Sequence, residues 1–474
     1  MDPPPKLSTP ESATPAVVIA ATHSGAGKTT ATGVVLRALR RTGLIVQPFK
    51  IGPDFIDAGY HTEATGRPTI NLDPWMTGRE GVRSSFHRWA AHADISVIEA
   101  MGALYDGEDG TERGSAADIA KLLGLPVVVV LDVWGMTRTT AAILEGLRGF
   151  DPDLDLAGCI LNRTGSSTHE RLILDALPDH LQPMVLGSIR HQSDLEVPER
   201  HLGLVTVEEN PVATADREST YERAAHFLDI RRLEQIARTA HPPSPVAPNR
   251  SRSRRRQAEA RLAVARDDAF CFYYEENLCI LQDAGFEIVP FRPTSDSELP
   301  PAIDAVYLGG GYPESFAGAL ASNTELTAQI RARALDGTPI YAECGGLIYL
   351  GRSLTGFDGQ RHSMADVLPL DIIMDPNHLA ISYVEVCTTR PSPLGPAGTT
   401  ARGQEFHQSR IIHADIEPDL YDITTSAGLH RRAGYLRHNV VASYVHLHFG
   451  SNPALVDHLL RLSSSPRPAA FDPQ

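Results

Sequence analysis

Cys344 stands in the sequence Ala-Glu-Cys-Gly-Gly, where an apolar strand pattern meets a helical pattern. The small residues Ala342, Gly345 and Gly346 around it are what a reactive side chain requires at a strained strand-to-helix turn. The first N–H groups of the following helix would face the sulfur and favour its thiolate form. We therefore predict that Cys344 is a nucleophile in a nucleophile elbow and not an ordinary buried cysteine.

Two other stretches of the second half supply the groups that such a nucleophile needs. Three consecutive glycines follow a buried strand pattern at residues 305–308, and their backbone N–H groups can form an oxyanion hole. The predicted donors are Gly310, Gly311 and Gly345. A later strand pattern, residues 440–449, carries His446 and His448 on one face. One of these histidines can serve as the base for Cys344.

The N-terminal part of the chain indicates a different chemistry. An apolar run of strand length, residues 15–22, is followed by His-Ser-Gly-Ala-Gly-Lys-Thr-Thr and by a helical pattern through Arg41. This is the context of a phosphate-binding P-loop, in which backbone N–H groups cradle the phosphates. Lys28 would reach the outer phosphates, and the Thr29 hydroxyl would ligate Mg²⁺. The predicted ATP-binding residues of this loop are Gly25, Gly27, Lys28, Thr29 and Thr30.

Polar side chains follow three further strand patterns of the first half. Asp54 and Asp57 lie on a Gly-Pro loop after the strand at 44–49, and Glu99 ends the strand at 95–98. Because the carboxyl ends of parallel strands share one edge of a sheet, we predict that Asp54 and Glu99 join Thr29 as Mg²⁺ ligands. Asn162 ends a strand at 156–162, from which its amide could read an adenine edge.

The order of these patterns predicts two large α/β domains. At 474 residues the chain is too long for one ordinary core. Alternating strands and helices over residues 15–238 predict a doubly wound, mostly parallel sheet of six strands. A Pro- and Arg-rich segment, 239–259, is read as a solvated linker. A second domain follows at 260–462, and residues 1–14 and 463–474 are predicted to be disordered tails.

Composition and charge exclude several classes of function. The formal charge of −15 disfavours nucleic acid as the main partner, and the five scattered cysteines indicate neither disulfides nor structural zinc. No segment has the length and apolarity of a membrane span, and the N-terminus lacks the pattern of a signal peptide. We therefore expect a cytoplasmic protein that binds small molecules and neither membranes nor nucleic acid.

The motifs together resemble a known family over nearly the whole chain between the two tails. In the second half, Ala-Glu-Cys-Gly-Gly, Gly-Gly-Gly-Tyr-Pro-Glu and Tyr-Val-His-Leu-His resemble a class I glutamine amidotransferase domain with a flavodoxin-like fold. The first half resembles the dethiobiotin-synthetase-like synthetase half of the cobyrinic acid a,c-diamide synthase family. It does so through Gly-Lys-Thr-Thr, Lys-Ile-Gly-Pro-Asp-Phe-Ile-Asp and Glu-Ala-Met-Gly-Ala-Leu-Tyr-Asp-Gly, with support from residues 198–204 and 402–407.

The resemblance implies a ligase that amidates the a and c carboxylates of cobyrinic or hydrogenobyrinic acid through an acyl phosphate, in cobalamin biosynthesis. ATP and glutamine would be substrates and Mg²⁺ the cofactor. Cys344 would attack the glutamine carboxamide and His446 would be its base. Asp57 and Asp106 would lie near the acyl phosphate. The usual third residue of the site, a glutamate two positions after the histidine, is replaced by His448, so the resemblance assigns no third residue.

Two alternatives remain open on the sequence. One is the same reaction on another tetrapyrrole, as in cobyric acid synthases or nickel-sirohydrochlorin a,c-diamide synthases. The other is a P-loop switch or partitioning protein whose second domain only binds. A homodimer is one option for the assembly of the chain.

Overall fold

A computed structural model describes residues 14–191, 195, 214–244 and 258–464 of the chain. These residues fall in two compact units, one with residues 14–74, 78–191, 195 and 214–244, the other with residues 75–77 and 258–464. Most of the predicted tails and linker, and the stretch 198–204, lie outside the described residues. The exact domain limits therefore stay predictions.

The first unit is built on a seven-stranded, entirely parallel sheet. Its strands are β1 (Ala16–Ala21), β2 (Val46–Ile51), β3 (Ile70–Leu72), β4 (Ile95–Glu99), β5 (Val127–Asp132), β6 (Leu156–Thr164) and β7 (Val185–Arg190). The helices in this part of the chain are α1 (Lys28–Arg41), α2 (Ile56–Thr65), α3 (Pro74–Ala90), α4 (Ala116–Leu123), α5 (Thr139–Phe150), α6 (Ser167–Ala176), α7 (Thr214–Ala225) and α8 (Ile230–Ala237). The spatial order β3-β2-β4-β1-β5-β6-β7 is that of a doubly wound sheet.

Both faces of this sheet are buried, which explains the unbroken apolar strand patterns. Along β1, Val18 and Ala20 belong to one apolar core, whereas Val17 and Ile19 belong to another. Successive side chains of a strand point to opposite faces, so a strand covered by helices on both sides must be apolar throughout. The predicted doubly wound fold is confirmed.

The sheet has one strand more than the six predicted, and another of its strands begins later than its apolar pattern. The extra strand, β3, has only three residues, too few to show a periodic pattern. The apolar run from Leu122 to Asp132, which its composition predicts to be a single strand, is a strand only from Val127 onward, because α4 extends through Leu123 and ends at Gly124, whose φ of 61° is left-handed. Pro126 then intervenes, and proline has no N–H to continue a helix.

The second unit has a six-stranded main sheet and two smaller sheets. Its strands are β8 (Ala260–Ala265), β9 (Phe286–Phe291), β10 (Ala305–Leu308), β11 (Ile340–Glu343), β12 (Ser353–Thr355), β13 (Arg361–Ser363), β14 (Leu370–Met374), β15 (Ala380–Thr388), β16 (Thr400–His407), β17 (Ser409–Ala414), β18 (Tyr421–Thr425), β19 (His430–Ala433), β20 (Tyr435–Arg437), β21 (Val440–Ser443) and β22 (Val445–Leu447). The helices are α9 (Glu275–Ala284), α10 (Ala317–Ser322), α11 (Thr324–Leu335), α12 (Gly345–Leu350) and α13 (Ala454–Ser464).

The main sheet has the order β20-β21-β11-β10-β8-β9, in which only the pairing of β20 with β21 is antiparallel. The smaller sheets have the orders β13-β12-β14-β17 and β19-β18-β15-β16-β22. The parallel main sheet with helices agrees with the predicted α/β domain. Among the described residues of both units, no helix combines the length and apolarity needed to cross a membrane.

The prediction of one strand through residues 440–449 is wrong. The segment forms two strands in different sheets: β21 pairs with β11 of the main sheet, and β22 pairs with β16 of the five-stranded sheet. Tyr444 lies at the break, where its ring stacks on His407 at a centroid distance of 3.7 Å and its hydroxyl accepts a hydrogen bond from Ser409. The break carries His446 out of the main sheet and into the five-stranded one.

Candidate active sites

Cys344 occupies the turn between β11 and α12, as the sequence predicts. Its φ of 46° and ψ of −98° lie in a region that non-glycine residues rarely adopt. The turn is held on both sides, because the Cys344 N–H donates to the Ser443 carbonyl at 2.8 Å and the Cys344 carbonyl accepts from the Ile348 N–H at 3.0 Å. The elbow is therefore present, and the nucleophilic role of its cysteine stays a prediction.

The two glycines after Cys344 are needed for space. A Cβ at Gly346 would lie 2.3 Å from the Leu308 carbonyl oxygen, and a Cβ at Gly345 would lie 3.1 Å from the Gly311 nitrogen. The elbow thus packs directly on the loop that follows β10. This contact brings together the backbone of Gly310, Gly311 and Gly345, the predicted oxyanion-hole residues.

The sequence predicts that Cys344 favours its thiolate form, but its surroundings in the structure favour the protonated thiol. Burial raises the pKa of the Cys344 thiol, and the Glu314 carboxylate raises it further. Its Sγ lies 3.8 Å from the Phe406 carbonyl oxygen, as a thiol donor would. The helix behind it, α12, has only six residues, and the effect of its N-terminus does not outweigh burial. Cys344 therefore needs a base to become nucleophilic.

His446 is the histidine that meets the glycine loop. It is 1% exposed, and a Cβ added to Gly310 would lie 2.3 Å from its Cε1 atom. Burial lowers the pKa of His446 to about 3, with a smaller contribution from His407, so the imidazole is neutral and able to accept a proton. These observations favour His446 as the base.

His448 has other partners. Its Nδ1 accepts a hydrogen bond from the Gly450 N–H at 3.1 Å, its Nε2 lies 3.7 Å from Glu276, and its ring packs on Tyr274. Burial lowers the pKa of His448 to about 4. His448 therefore binds the backbone of the segment that follows β22, through its hydrogen bond with the Gly450 N–H.

We expect Gly310→Ala to reduce glutamine-dependent activity by about 10²-fold or more, because the new methyl group would displace His446 and crowd the oxyanion donors. Activity with free ammonia should persist. The matched control is Gly318→Ala in α10, where an added Cβ has nothing within 4 Å. Glutamate release by purified variants is the measurement, and normal release by Gly310→Ala would argue against this placement of the site.

Glu343, the residue before Cys344, was not predicted from the sequence as part of the site. It is 2% exposed and accepts hydrogen bonds from the Tyr307 and Tyr341 hydroxyls and from the Leu447 N–H. Its Oε2 atom lies 3.8 Å from Nδ1 of His446. Burial raises the pKa of Glu343 to about 7. The available signal was a charged residue inside a strand pattern that is otherwise apolar.

The P-loop has the conformation expected of a phosphate cradle. Gly25 and Gly27 have φ values of 80° and 87°, which favour glycine, and α1 begins at Lys28. A Cβ at Gly27 would lie 2.1 Å from Nδ2 of Asn162, which donates to the Ala26 carbonyl at 2.8 Å. Asn162 thus supports the loop, a contact the sequence analysis did not predict, and its contact with adenine stays a prediction. Burial lowers the pKa of Lys28.

A buried cluster lies beside the P-loop, and its centre is Lys50, which the sequence analysis overlooked. Lys50 pairs with Glu99 in the register of β2 and β4, and its Nζ donates to Glu99 at 2.8 Å and to Asp57 at 2.6 Å. His61, one helical turn after Asp57 on α2, contacts the other Glu99 oxygen at 2.5 Å. A lysine at the end of a buried strand pattern was the signal for this cluster.

The remaining predicted residues lie around this cluster. Asp54 is 3.9 Å from Lys50 Nζ, and its carboxylate accepts from the N–H groups of Ile56 and Asp57. Burial raises the pKa of Asp54 to about 7. Thr30 donates to the Leu195 carbonyl. Asp106 lies exposed on the loop after β4, so the structure does not bring it into the buried cluster.

The residues present fit a Mg²⁺ ion that is shared with a nucleotide. The Thr29 hydroxyl lies 3.2 Å from Oε1 of Glu99, so the two predicted ligands are adjacent. Within the described part of the chain, no cluster of three or more His, Cys, Asp or Glu side chains could hold a metal alone. Mg²⁺ usually takes only one or two carboxylates and completes its shell with phosphates and water. Thr29 and Glu99 match that pattern, with Asp54 as a further candidate.

Comparison with known proteins assigns both halves of the chain. Residues 17–205 match the CobQ/CobB/MinD/ParA nucleotide binding domain, and residues 261–454 match the CobB/CobQ-like glutamine amidotransferase domain. A cobyrinate a,c-diamide synthase from Syntrophotalea carbinolica is 41% identical over 446 residues, which are 93% of this chain and 96% of the relative.

Two other relatives of the same name agree over similar lengths. The protein from Leptospira interrogans serogroup Icterohaemorrhagiae serovar copenhageni is 40% identical, covering 94% of this chain and 97% of the relative. The protein from Synechocystis sp. is also 40% identical, covering 93% of this chain and 92% of the relative. Both predicted halves and the predicted family are thereby confirmed, and the chain belongs to the cobyrinate a,c-diamide synthase family.

Proposed function

We propose that this protein amidates the a and c side-chain carboxylates of cobyrinic or hydrogenobyrinic acid, with glutamine as nitrogen donor and ATP as activating substrate. The second unit hydrolyses glutamine to glutamate and ammonia. The first unit activates the carboxylate as an acyl phosphate, which ammonia converts to the amide with release of phosphate. The choice of this reaction rests on the membership of the chain in the cobyrinate a,c-diamide synthase family. The presence of a cysteine elbow in one unit and a P-loop in the other supports it.

In the glutaminase half, His446 takes the proton of the Cys344 thiol as the sulfur attacks the glutamine carboxamide carbon. The oxyanion formed in that step is stabilised by the backbone N–H groups of Gly310, Gly311 and Gly345. The proton is then given to the leaving ammonia, and water releases glutamate from the thioester. The neutral state of buried His446 suits it to accept this proton.

In the synthetase half, the P-loop N–H groups and Lys28 bind the phosphates of ATP. Thr29 and Glu99, with Asp54, would hold Mg²⁺, which when bound neutralises charge on the transferred phosphoryl group. Lys50 keeps Glu99 and Asp57 in place and is positioned to balance their charge. Mg²⁺ itself, a cytoplasmic location and a homodimer stay predictions.

The amidated products show which tetrapyrrole is the substrate. Purified protein should convert cobyrinic or hydrogenobyrinic acid to a diamide, seen by mass spectrometry as two replacements of OH by NH₂. Sirohydrochlorin and the diamide product itself are the comparison substrates. Faster amidation of either would favour the nickel-sirohydrochlorin or cobyric acid type of reaction. Absence of glutamate release with every substrate would favour a binding protein.

A further inference from the structure

We propose that Glu343 is a positioning residue for glutamine hydrolysis, which orients His446 and stabilises its protonated form. The inference rests on the proposed roles of Cys344 and His446. It supplies the third residue that the resemblance leaves unassigned, from a position directly before the nucleophile.

The Glu343 carboxylate is fixed by donors on both of its oxygens. Oε1 accepts from the Tyr341 hydroxyl at 2.5 Å and from the Leu447 N–H at 2.9 Å, and Oε2 accepts from the Tyr307 hydroxyl at 2.9 Å. These donors come from β11, β22 and β10. A buried carboxylate with this many partners has a single orientation available to it.

That orientation directs Oε2 at His446. Its distance to Nδ1 is 3.8 Å, with both side chains almost completely buried. This distance exceeds a hydrogen bond of about 3.2 Å, but catalytic contacts of this kind often shorten when substrate binds. With Nδ1 facing Glu343, Nε2 is the ring nitrogen that can take the thiol proton. The resulting imidazolium then lies beside a carboxylate.

Glu343 also fixes the backbone that carries the two reacting side chains. It is the residue before Cys344, and its carboxylate binds the N–H of Leu447, the residue after His446. One side chain therefore ties the elbow in the main sheet to β22 in the five-stranded sheet. Small displacements of a base relative to its nucleophile are costly, so this tie should affect the rate of the chemical step.

Among the described titratable groups that face Glu343, none other has a pKa near neutrality. Facing it are Cys344, His446 and the tyrosines 273, 307, 341 and 421. Burial raises the pKa of each of these tyrosines, and burial also keeps His446 neutral. Glu343, with its pKa raised to about 7, is protonated below that pH and charged above it. Glutaminase activity should therefore rise as the pH increases through about 7.

The test is Glu343→Gln, which keeps the volume and an acceptor for the Leu447 N–H but removes the charge. We expect kcat for glutamine hydrolysis to fall by about 10²-fold with little change in KM. The rise of activity through pH 7 should disappear. Ammonia-dependent amidation should be unchanged. Asp371→Asn, which removes a half-buried carboxylate elsewhere in the same unit, is the matched control and should behave as wild type.

A second variant, Tyr307→Phe, tests the same inference if Glu343→Gln does not fold. The Tyr307 hydroxyl lowers the pKa of Glu343, so Tyr307→Phe should move the rise in activity to higher pH while both carboxylate oxygens remain. A normal kcat and pH profile in Glu343→Gln, or an unmoved profile in Tyr307→Phe, would overturn the inference. Glutamate release that survives Cys344→Ala in the same assay would instead overturn the proposed function.

Discussion

Cys344→Ala should lose glutamine-dependent amidation by about 10⁴-fold or more while retaining amidation with free ammonia. Attack on the carboxamide requires the sulfur, and no other cysteine side chain is described at the elbow. Formation of the acyl phosphate requires only the P-loop unit, so externally supplied ammonia should still be captured. Amide product and glutamate are measured in parallel, with either glutamine or an ammonium salt as nitrogen source.

The control for Cys344→Ala is Cys387→Ala, which changes a half-buried cysteine on β15. It should keep both activities. Loss of both activities in a folded Cys344→Ala protein would contradict the assignment of separate sites to the two units. Retention of glutamine-dependent activity would show that Cys344 is not the nucleophile.

Glu99→Gln should impair amidation with either nitrogen source, by about 10² to 10³-fold. The substitution keeps the size of the side chain but removes the charge that Lys50, His61 and the Thr29 hydroxyl face. Lys50 would then retain Asp57 at 2.6 Å and the more distant Asp54 at 3.9 Å, and Mg²⁺ would lose a charged ligand. The rate of glutamine hydrolysis, measured by itself, should be unchanged.

Two measurements separate a chemical role of Glu99 from a structural one. Nucleotide binding with and without Mg²⁺ should show that the variant loses the benefit of the metal, and thermal unfolding should show whether the fold is kept. Glu145→Gln, which removes an exposed carboxylate on α5, is the matched control. Normal ammonia-dependent amidation by Glu99→Gln would leave Glu99 as a partner of Lys50 and nothing more.

The local patterns of the chain were sufficient to predict both folds and most of the candidate site. An elbow at Cys344 and a P-loop at Lys28 are encoded within a few consecutive residues, because small side chains and positive φ angles at fixed spacing are properties of the local backbone. The parallel sheet of the first unit was likewise predictable. Strands buried on both faces are continuous apolar runs, which leave a strong signal.

The tertiary structure decided the parts that depend on which strands are neighbours. Lys50 and Glu99 are far apart in sequence and meet because β2 lies beside β4. Likewise, His446 meets the glycine loop because the chain breaks at Tyr444 and passes from one sheet to another. No periodic pattern records such a change of sheet. Glu343 is the clearest case, since its sequence position indicates only a buried strand residue, and its partners come from three strands that only folding brings together.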